Sequence, residues 1–591
     1  MVNIELGMEK AMKKLLVYMK NYKKECVLGP LFKLLEAGFD LTVPLVTAAI
    51  IDYGIANQDK SYVIRYGGVL LLLALIGLVC SITAQFFAAK AAVGFAANLR
   101  HALFSHIEQL SFSEIDQIGT STLITRMTSD INQVQSGVNM ALRLFLRSPF
   151  IVFGAMILAF FINLQAALVF AIVIPMLALV IFGIMGVSMP LYKKVQGALD
   201  RVLGSTRENL TGIRVIRAFH REAEEEEQFC EENDFLAKSQ LFVGRISALT
   251  NPVTYVMING ALIVLLWVSG VRIDAGSLTS GEVIALINYL SQILVELIKL
   301  ANTIVLSNKA LACAARVESV MDVNSSLGIQ EMFNVPSVGE KKKGQVVFEG
   351  VSMCYQGSQE PSVAGVNFVA EPGDTIGIIG GTGSGKSTLV NLIPRFYDVS
   401  EGCVKVDGQD VRSYSLKELR DRIGIVMQKA VLFKGTIREN LLWGNEDATD
   451  EELREALELS QSMEFVEKKE DGMESFVEQG GRNLSGGQKQ RLTIARALIR
   501  KPEILIFDDS TSALDYATDA KLRSGLKKLS YHPTIFMVSQ RTSSIRHADK
   551  IIVLEDGEVI GMGTHNELLE NCQVYAEIHY SQYQKKEGKV E

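Results

Sequence analysis

Charge is scarce in this chain, and cysteine chemistry is missing from it. Only 21% of its 591 residues are charged while 48% are hydrophobic, and the mean hydropathy is +0.21. That excludes a wholly soluble protein and requires a membrane part, and the length exceeds one domain. The seven cysteines, Cys26, Cys80, Cys230, Cys313, Cys354, Cys403 and Cys572, stand singly with no CxxC pair. Disulfides and a cysteine metal site are thereby excluded, and reducing surroundings are expected around the soluble part. There is no long basic tract, and the net charge is -7, so no nucleic-acid partner is expected. No secretory signal with a cleavage site precedes the first apolar stretch, and no proteolytic domain is expected ahead of it.

What is present divides into two unlike parts. Up to about Leu306 long apolar stretches alternate with polar helical ones; from about Gly344 short apolar runs alternate with Gly-rich turns. The expected organisation is a transmembrane domain over 1–310, a linker over 311–343 holding VNSSLG and GEKKKG, and a second domain over 344–591. Six stretches reach the ~20 apolar residues that a bilayer crossing needs, near 26–51, 67–89, 138–162, 166–189, 247–270 and 282–306. Lys10, Lys13, Lys14, Lys20, Lys23 and Lys24 precede the first, which puts the N-terminus in the cytoplasm, and six spans return the second domain to that side. The segments 90–137 and 190–246 carry Arg100, Arg126, Lys193, Lys194, Arg201, Arg207, Arg214 and Arg217 and read as helices continuing past the membrane. The basic stretch MEKAMKKLLVYMKNYKK reads as an amphipathic helix along the inner interface.

Two strand-ending motifs carry the chemistry. The apolar run TIGIIG leads into GGTGSGKST, made of Gly380, Gly381, Thr382, Gly383, Ser384, Gly385, Lys386, Ser387 and Thr388, with the helix start LVNLI after it. That is a P-loop in its proper context: backbone amides wrap phosphates, Lys386 reaches the outer phosphate oxygens and Ser387 offers its hydroxyl to magnesium. A second run, ILIF, delivers Asp508 to the same edge of a parallel sheet, where its carboxylate can hold the same ion. Between them LSGGQKQR opens a helix at Ser485, Gly486 and Gly487, turning free amides and the positive end of the helix outward.

With these motifs in this order the whole chain resembles ABC transporters of the exporter type: an α-helical six-span transmembrane domain with long cytoplasmic helix extensions, fused to an α/β P-loop ATPase domain with a mixed sheet and a helical subdomain. The resemblance implies ATP and Mg2+ as ligands and two ATPase domains closing head to tail, so that Ser485, Gly486, Gly487 and Gln488 complete the site on a partner chain. It also implies that Tyr355 stacks on adenine, that Gln428 senses magnesium, and that Asp515 acts across the interface. Short turns near Asp116–Thr122 and Asn209–Arg217 would be the couplers to the membrane domain.

Two positions depart from the family. The residue after the magnesium carboxylate is usually Glu, which polarises the attacking water; here it is Asp509. The downstream His is replaced by Gln540, and His532 stands too early to substitute. A carboxylate shortened by one methylene retreats by ~1 Å, and misplacement of that size costs about 100-fold. Losing a positioned base costs roughly 100 to 10,000-fold. The expectation is a half-transporter that binds ATP, cleaves it slowly and works with a different half-transporter chain. A homodimer with two slow sites is the alternative. An importer of exporter fold and an ATP-gated channel-like member also stay open.

In the spans, Lys33, Glu36 and Asp40 share helical spacing, as do Glu296 and Lys299. Intramembrane charges mark function or structural pairing. Phe145, Phe150, Phe153, Met156, Met176 and Met257 suit either a deformable cavity or ordinary packing. The expected cargo is a small amphipathic or hydrophobic molecule.

Overall fold

The computed structural model describes residues 10–327 and 343–583, and the chain forms two compact units. The first comprises residues up to Glu108 together with Thr120–Val323; the second comprises Gln109–Gly119 and Asn324 onward.

Among the described residues of the first unit six helices are long and apolar enough to cross a bilayer: Lys10–Ile55, Lys60–Ile107, Thr120–Ile162, Leu164–Ala218, Glu222–Asp274 and Ser280–Met321. The helix Leu164–Ala218 has 55 residues, about 80 Å at 1.5 Å per residue, against a hydrocarbon core of about 30 Å. More than half of it must project beyond the membrane. The turns are short and capped by their own sequence. Asn163 alone separates two spans, its side chain accepting from the amides of Gln165 (3.0 Å) and Ala166 (3.1 Å). Asp59 caps Lys60–Ile107 in the same way, and Thr279 with Glu282 forms a reciprocal cap for the last span. Leu286, Tyr289, Ile293, Phe170 and Leu177 lie in the interior between these helices. Phe161 (82% exposed) and Trp267 (77%) instead face outward, as the lipid-facing side of a membrane helix does.

Two sequence expectations change here. Residues 311–321 are not linker but the end of the sixth helix, because LACAARVESVM is rich in helix formers and buries Cys313, Ala314, Val317 and Val320. Of the rest of the expected linker, residues 328–342 lie outside the described residues. Asn209–Arg217 is not a turn; it lies inside Leu164–Ala218, and the chain reverses at Phe219–Arg221, where His220 takes a left-handed φ of 52°. NLTGIRVIR contains no residue able to stop a helix except Gly212, which a helix tolerates at a cost of about 1 kcal/mol. The basic N-terminal stretch packs on other helices of this unit: Lys14 pairs with Glu318 (2.7 Å) and Asp322 (2.8 Å).

Among the described residues the second unit holds a small antiparallel pair, Gly435–Thr436 with Phe476–Val477, and two large sheets. One is antiparallel, with strands in the order Val363–Ala370, Val346–Met353, Glu401–Val406, Gln409–Asp410. The other is mixed, in the order Glu558–Gly563, Lys550–Glu555, Thr375–Gly380, Thr534–Val538, Ile504–Asp508, Ile423–Val426; only the Glu558–Gly563 edge is antiparallel. Its central strands are continuous apolar runs, as a sheet covered on both faces requires. Helices Ile437–Leu442, Asp450–Leu459 and Gly486–Ile499 form a helical subdomain around Leu441, Leu453, Leu457 and Ile494.

Candidate functional site

Parallel register sets the site. Strand Thr534–Val538 lies between Thr375–Gly380 and Ile504–Asp508, pairing Val538 with both Ile378 and Asp508. The P-loop, Asp508, Asp509 and Gln540 therefore emerge at one sheet edge, where open α/β folds bind ligands. Ile423–Val426 pairs alongside, Val426 opposite Phe507, so exposed Gln428 leaves the sheet at the same edge.

The P-loop needs its glycines. Gly385 has φ 88°, and a Cβ there would stand 2.3 Å from the Ser362 carbonyl oxygen; at Gly380 one would stand 2.0 Å from the Leu554 carbonyl oxygen. The Lys386 ammonium is folded onto the loop itself, donating to the carbonyl of Gly380 (3.0 Å), to that of Gly381 and to Ser384 Oγ (3.3 Å). Burial pulls it below the usual lysine value, with Asp509 and Asp508 acting in the opposite direction. A buried ammonium held only by neutral oxygens in a loop of glycines fits an anionic ligand. Ser387 Oγ donates to Asp508 Oδ1 (2.8 Å), so two hard oxygens converge where a divalent cation would sit. Burial raises the Asp508 carboxyl, the Ser387 hydrogen bond opposes this, and the charge of Asp509 adds to it. Those residues fit Mg2+, and Thr382 and Gly383 are exposed at the tip of the loop.

Asp509 is set apart from Asp508. Its φ is 44°, a left-handed conformation that Asp tolerates better than most residues. Its Oδ1 is buried without a partner, and its Oδ2 lies 3.5 Å from Gln540 Nε2, at the outer limit of a hydrogen bond. Burial raises its carboxyl, while Lys386 and then Arg541 pull it back down. Sequence reasoning missed Arg541, which donates to the Ser512 carbonyl (3.2 Å) and stacks on Tyr516. It also missed Gln582, whose amide donates to the Gln540 carbonyl (2.8 Å) and pins the loop from the C-terminal helix. Neither position carries a motif.

Tyr355 does not stand alone. Its hydroxyl is 3.0 Å from Thr388 Oγ1, and its ring meets Tyr397 edge-on with centroids 5.2 Å apart. Tyr397 donates to Asp116 Oδ2 (2.7 Å), and Phe112 packs on Phe396 at 4.7 Å. The expected turn near Asp116–Thr122 is instead the end of a capped helix, Phe112–Ile118, a break at Gly119 and the start of the next helix at Thr120; Tyr397, a residue the sequence reading passed over, ties the first of these helices to the Tyr355 side of the site.

Ser485 and Gln488 cap helix Gly486–Ile499 reciprocally: Ser485 Oγ accepts from the Gln488 amide (3.3 Å), and Gln488 Oε1 accepts from the Ser485 amide (3.0 Å). This leaves Gly486 exposed at the helix start, and Gly487 close enough to Ala513 that a Cβ would lie 3.3 Å from its carbonyl oxygen. Asp515 caps the next helix, accepting from the Thr518 amide (2.7 Å) and hydroxyl (3.0 Å). The Thr518 amide holds its carboxyl below the ordinary range.

In the first unit the intramembrane charges pair with one another, and Arg147, absent from the sequence reading, is the hub. It meets Glu296 at 2.5 Å and Asp40 at 2.9 Å. Glu296 also takes Ser148 (2.8 Å) and Lys299 (3.0 Å), and Lys33 holds Glu36 at 2.5 Å. A cavity of about 340 Å³ opens beside Asp40, Arg147, Gln292 and Lys299.

Comparison with known proteins agrees with this architecture. Residues 26–297 match the ABC transporter transmembrane region, and residues 363–512 match the ABC transporter family. An uncharacterized ABC transporter ATP-binding protein of Mycobacterium tuberculosis is 38% identical over 96% of this chain and 97% of its own length. An ATP-dependent lipid A-core flippase of Vibrio vulnificus is 28% identical over 98% of this chain and 99% of its own. The structure of a bacterial Atm1-family ABC exporter with ATP bound superposes with a TM-score of 0.78 at 22% identity, covering 96% of this chain and 99% of that one. With its six helices, its P-loop edge and these relatives, the chain belongs to the ABC transporter family, carrying the transmembrane and ATPase regions fused in one polypeptide with the exporter fold.

Proposed function

We propose that this chain is one half of an ATP-driven exporter and that its partner is a different half-transporter. Its own P-loop site binds ATP firmly and cleaves it slowly, while its LSGGQ segment completes the fast site on the partner. The observation that carries this reading is Asp509 itself, a carboxylate one methylene shorter than Glu whose Oδ2 reaches only an amide, Gln540 Nε2 at 3.5 Å, that cannot become charged. General-base assistance needs a carboxylate held at hydrogen-bond distance from the water it activates. Ser387, Asp508 and Gln428 would hold Mg2+, which supplies charge neutralisation at the phosphates. Lys386 and the loop amides bind and orient the triphosphate, and Tyr355 stacks on the base. Because Gln540 brings no positive charge, these binding residues act undiminished while cleavage is weak.

The ATPase domain, with boundaries near 344–591, and both termini lie in the cytoplasm by the positive-inside bias. Closure of the paired ATPase domains is transmitted by the projecting helices, and the membrane cavity alternates between the two sides. The cargo is a small amphipathic or lipid-like molecule; the resemblance to a relative named as a lipid A-core flippase supports that class. Purification of the tagged chain from its native membrane tests the proposal. The expected result is stoichiometric recovery of a second ABC chain, ATPase activity only in the pair, and ATP-dependent cargo accumulation in inverted vesicles. Rapid turnover by the chain alone would overturn it.

A further inference from the structure

A crevice other than the P-loop edge lies in the ATPase unit. It opens over about 330 Å³ on the face of the sheet beside Ile535, Met537 and Ala548, near the lower end of the size range of small-molecule sites. Its floor is apolar: Ile535 and Met537 are 6% and 3% exposed. Its rim is basic, formed by Arg523 and Lys527 from the helix Tyr516–Leu526 and its end, and by Arg546 and His547 from the turn after Thr542–Ile545.

These charges are not all compensated. Arg523 pairs with Asp519 at 3.1 Å and donates to the Ser543 carbonyl (3.1 Å), yet its Nε is buried without a partner. Among the described residues no carboxylate pairs with Lys527 or Arg546; Arg546 Nε is spent instead on His547 Nε2 (3.0 Å). The local field is positive enough that His547 falls below the ordinary imidazole value, first through burial and then through Arg546, Lys527 and Arg523. A concave wall of one charge sign focuses potential on counter-ions, and the apolar floor selects those with a hydrophobic body.

We propose that this crevice binds an amphiphilic anion, a phosphate or carboxylate head on a compact apolar body, at a site separate from the nucleotide. Its position gives such a ligand leverage on the ATP site. The helix that supplies Arg523 begins at the cap residue Asp515, and the strand that supplies Met537 runs directly to Gln540.

The test uses the full chain in nanodiscs, with the P-loop filled by a non-hydrolysable ATP analogue and Mg2+, titrated with 2-naphthyl phosphate. Saturable binding is expected below about 1 mM, with 2-naphthol, inorganic phosphate and the Lys527→Glu/Arg546→Glu variant each at least about tenfold weaker. The affinity of that variant for the ATP analogue should be unchanged. If it loses nucleotide affinity and so reports misfolding, Ala520→Trp, which fills the crevice while removing no charge, reads the same expectation. Anionic lipid in the nanodisc separates the sources: displacement assigns a headgroup, and its absence a soluble anion. Naphthyl phosphate binding that is unaffected by both variants, that 2-naphthol equals, or that fails to saturate would overturn the proposal.

Discussion

Replacing Asp509 by Glu should speed hydrolysis at this chain's own site. The substitution returns the missing methylene, advancing the carboxylate by ~1 Å, a displacement worth about 100-fold. Part of that gain is lost to the backbone, since residue 509 has φ 44° and a residue with a longer side chain pays roughly 1–2 kcal/mol in that region. One or two kcal/mol is a factor of 5–30, which leaves a net acceleration of roughly 3- to 20-fold. Adding Gln540→His, which supplies a group able to carry charge at the 3.5 Å contact with Asp509, should raise the rate further. Single-turnover cleavage of γ-labelled ATP by the purified chain, with the partner's catalytic carboxylate neutralised where the pair is used, isolates this site. No acceleration by Asp509→Glu, with nucleotide affinity intact, would refute the reasoning that carboxylate reach limits this site.

Other outcomes follow from the same geometry. Tyr397→Phe removes one hydrogen bond to a carboxylate, worth about 1.5–3 kcal/mol, and Asp116→Asn leaves that bond to a neutral acceptor; cargo-stimulated ATPase should fall and amide exchange over 109–119 should rise, more for Tyr397→Phe, while ATP affinity holds. Gly385→Ala forces a Cβ to 2.3 Å from a carbonyl oxygen and should abolish nucleotide binding, measured with a fluorescent analogue. Glu296→Gln removes the charge Arg147 faces at 2.5 Å but leaves Asp40 at 2.9 Å, so thermal stability in detergent should drop by less than the about 3–5 kcal/mol of a fully broken buried pair, and Glu296→Gln with Asp40→Asn should lose that full amount. Burial raises both Asp508 and Asp509, so the folded state binds more protons than the unfolded chain just above the ordinary carboxylate range. Nucleotide-free stability should therefore decrease as pH rises through the interval between the ordinary and raised values, then level off. Asp508→Asn should flatten that part of the profile in denaturant titrations.

What could be read from sequence was whatever local pattern dictates. The six spans, the P-loop strand and the Asp508 strand are long apolar runs with their breakers in place, so periodicity and punctuation were enough. The helix from Leu164 to Ala218 shows the limit: NLTGIRVIR looks like a turn because it holds Asn, Thr and Gly, but the flanking residues propagate the helix through it. Arg147 was passed over because it stands alone in its segment; its role comes from Asp40 and Glu296, far away in sequence. Tyr397 and Arg541 escaped for the same reason, since each acquires meaning only from a contact that tertiary folding makes. The cap made by Ser485 and Gln488 shows what the motif does within its own helix: it closes the first turn reciprocally.

The central claim, that cleavage by the transporter does not run through this chain's carboxylate, has one direct measurement: steady-state ATPase of the purified pair carrying Asp509→Asn in this chain alone. Turnover should stay within about twofold of the unmodified pair, because losing a base that already contributes little removes little. A fall of about 100-fold or more, the loss expected when a working general base is removed, would contradict it.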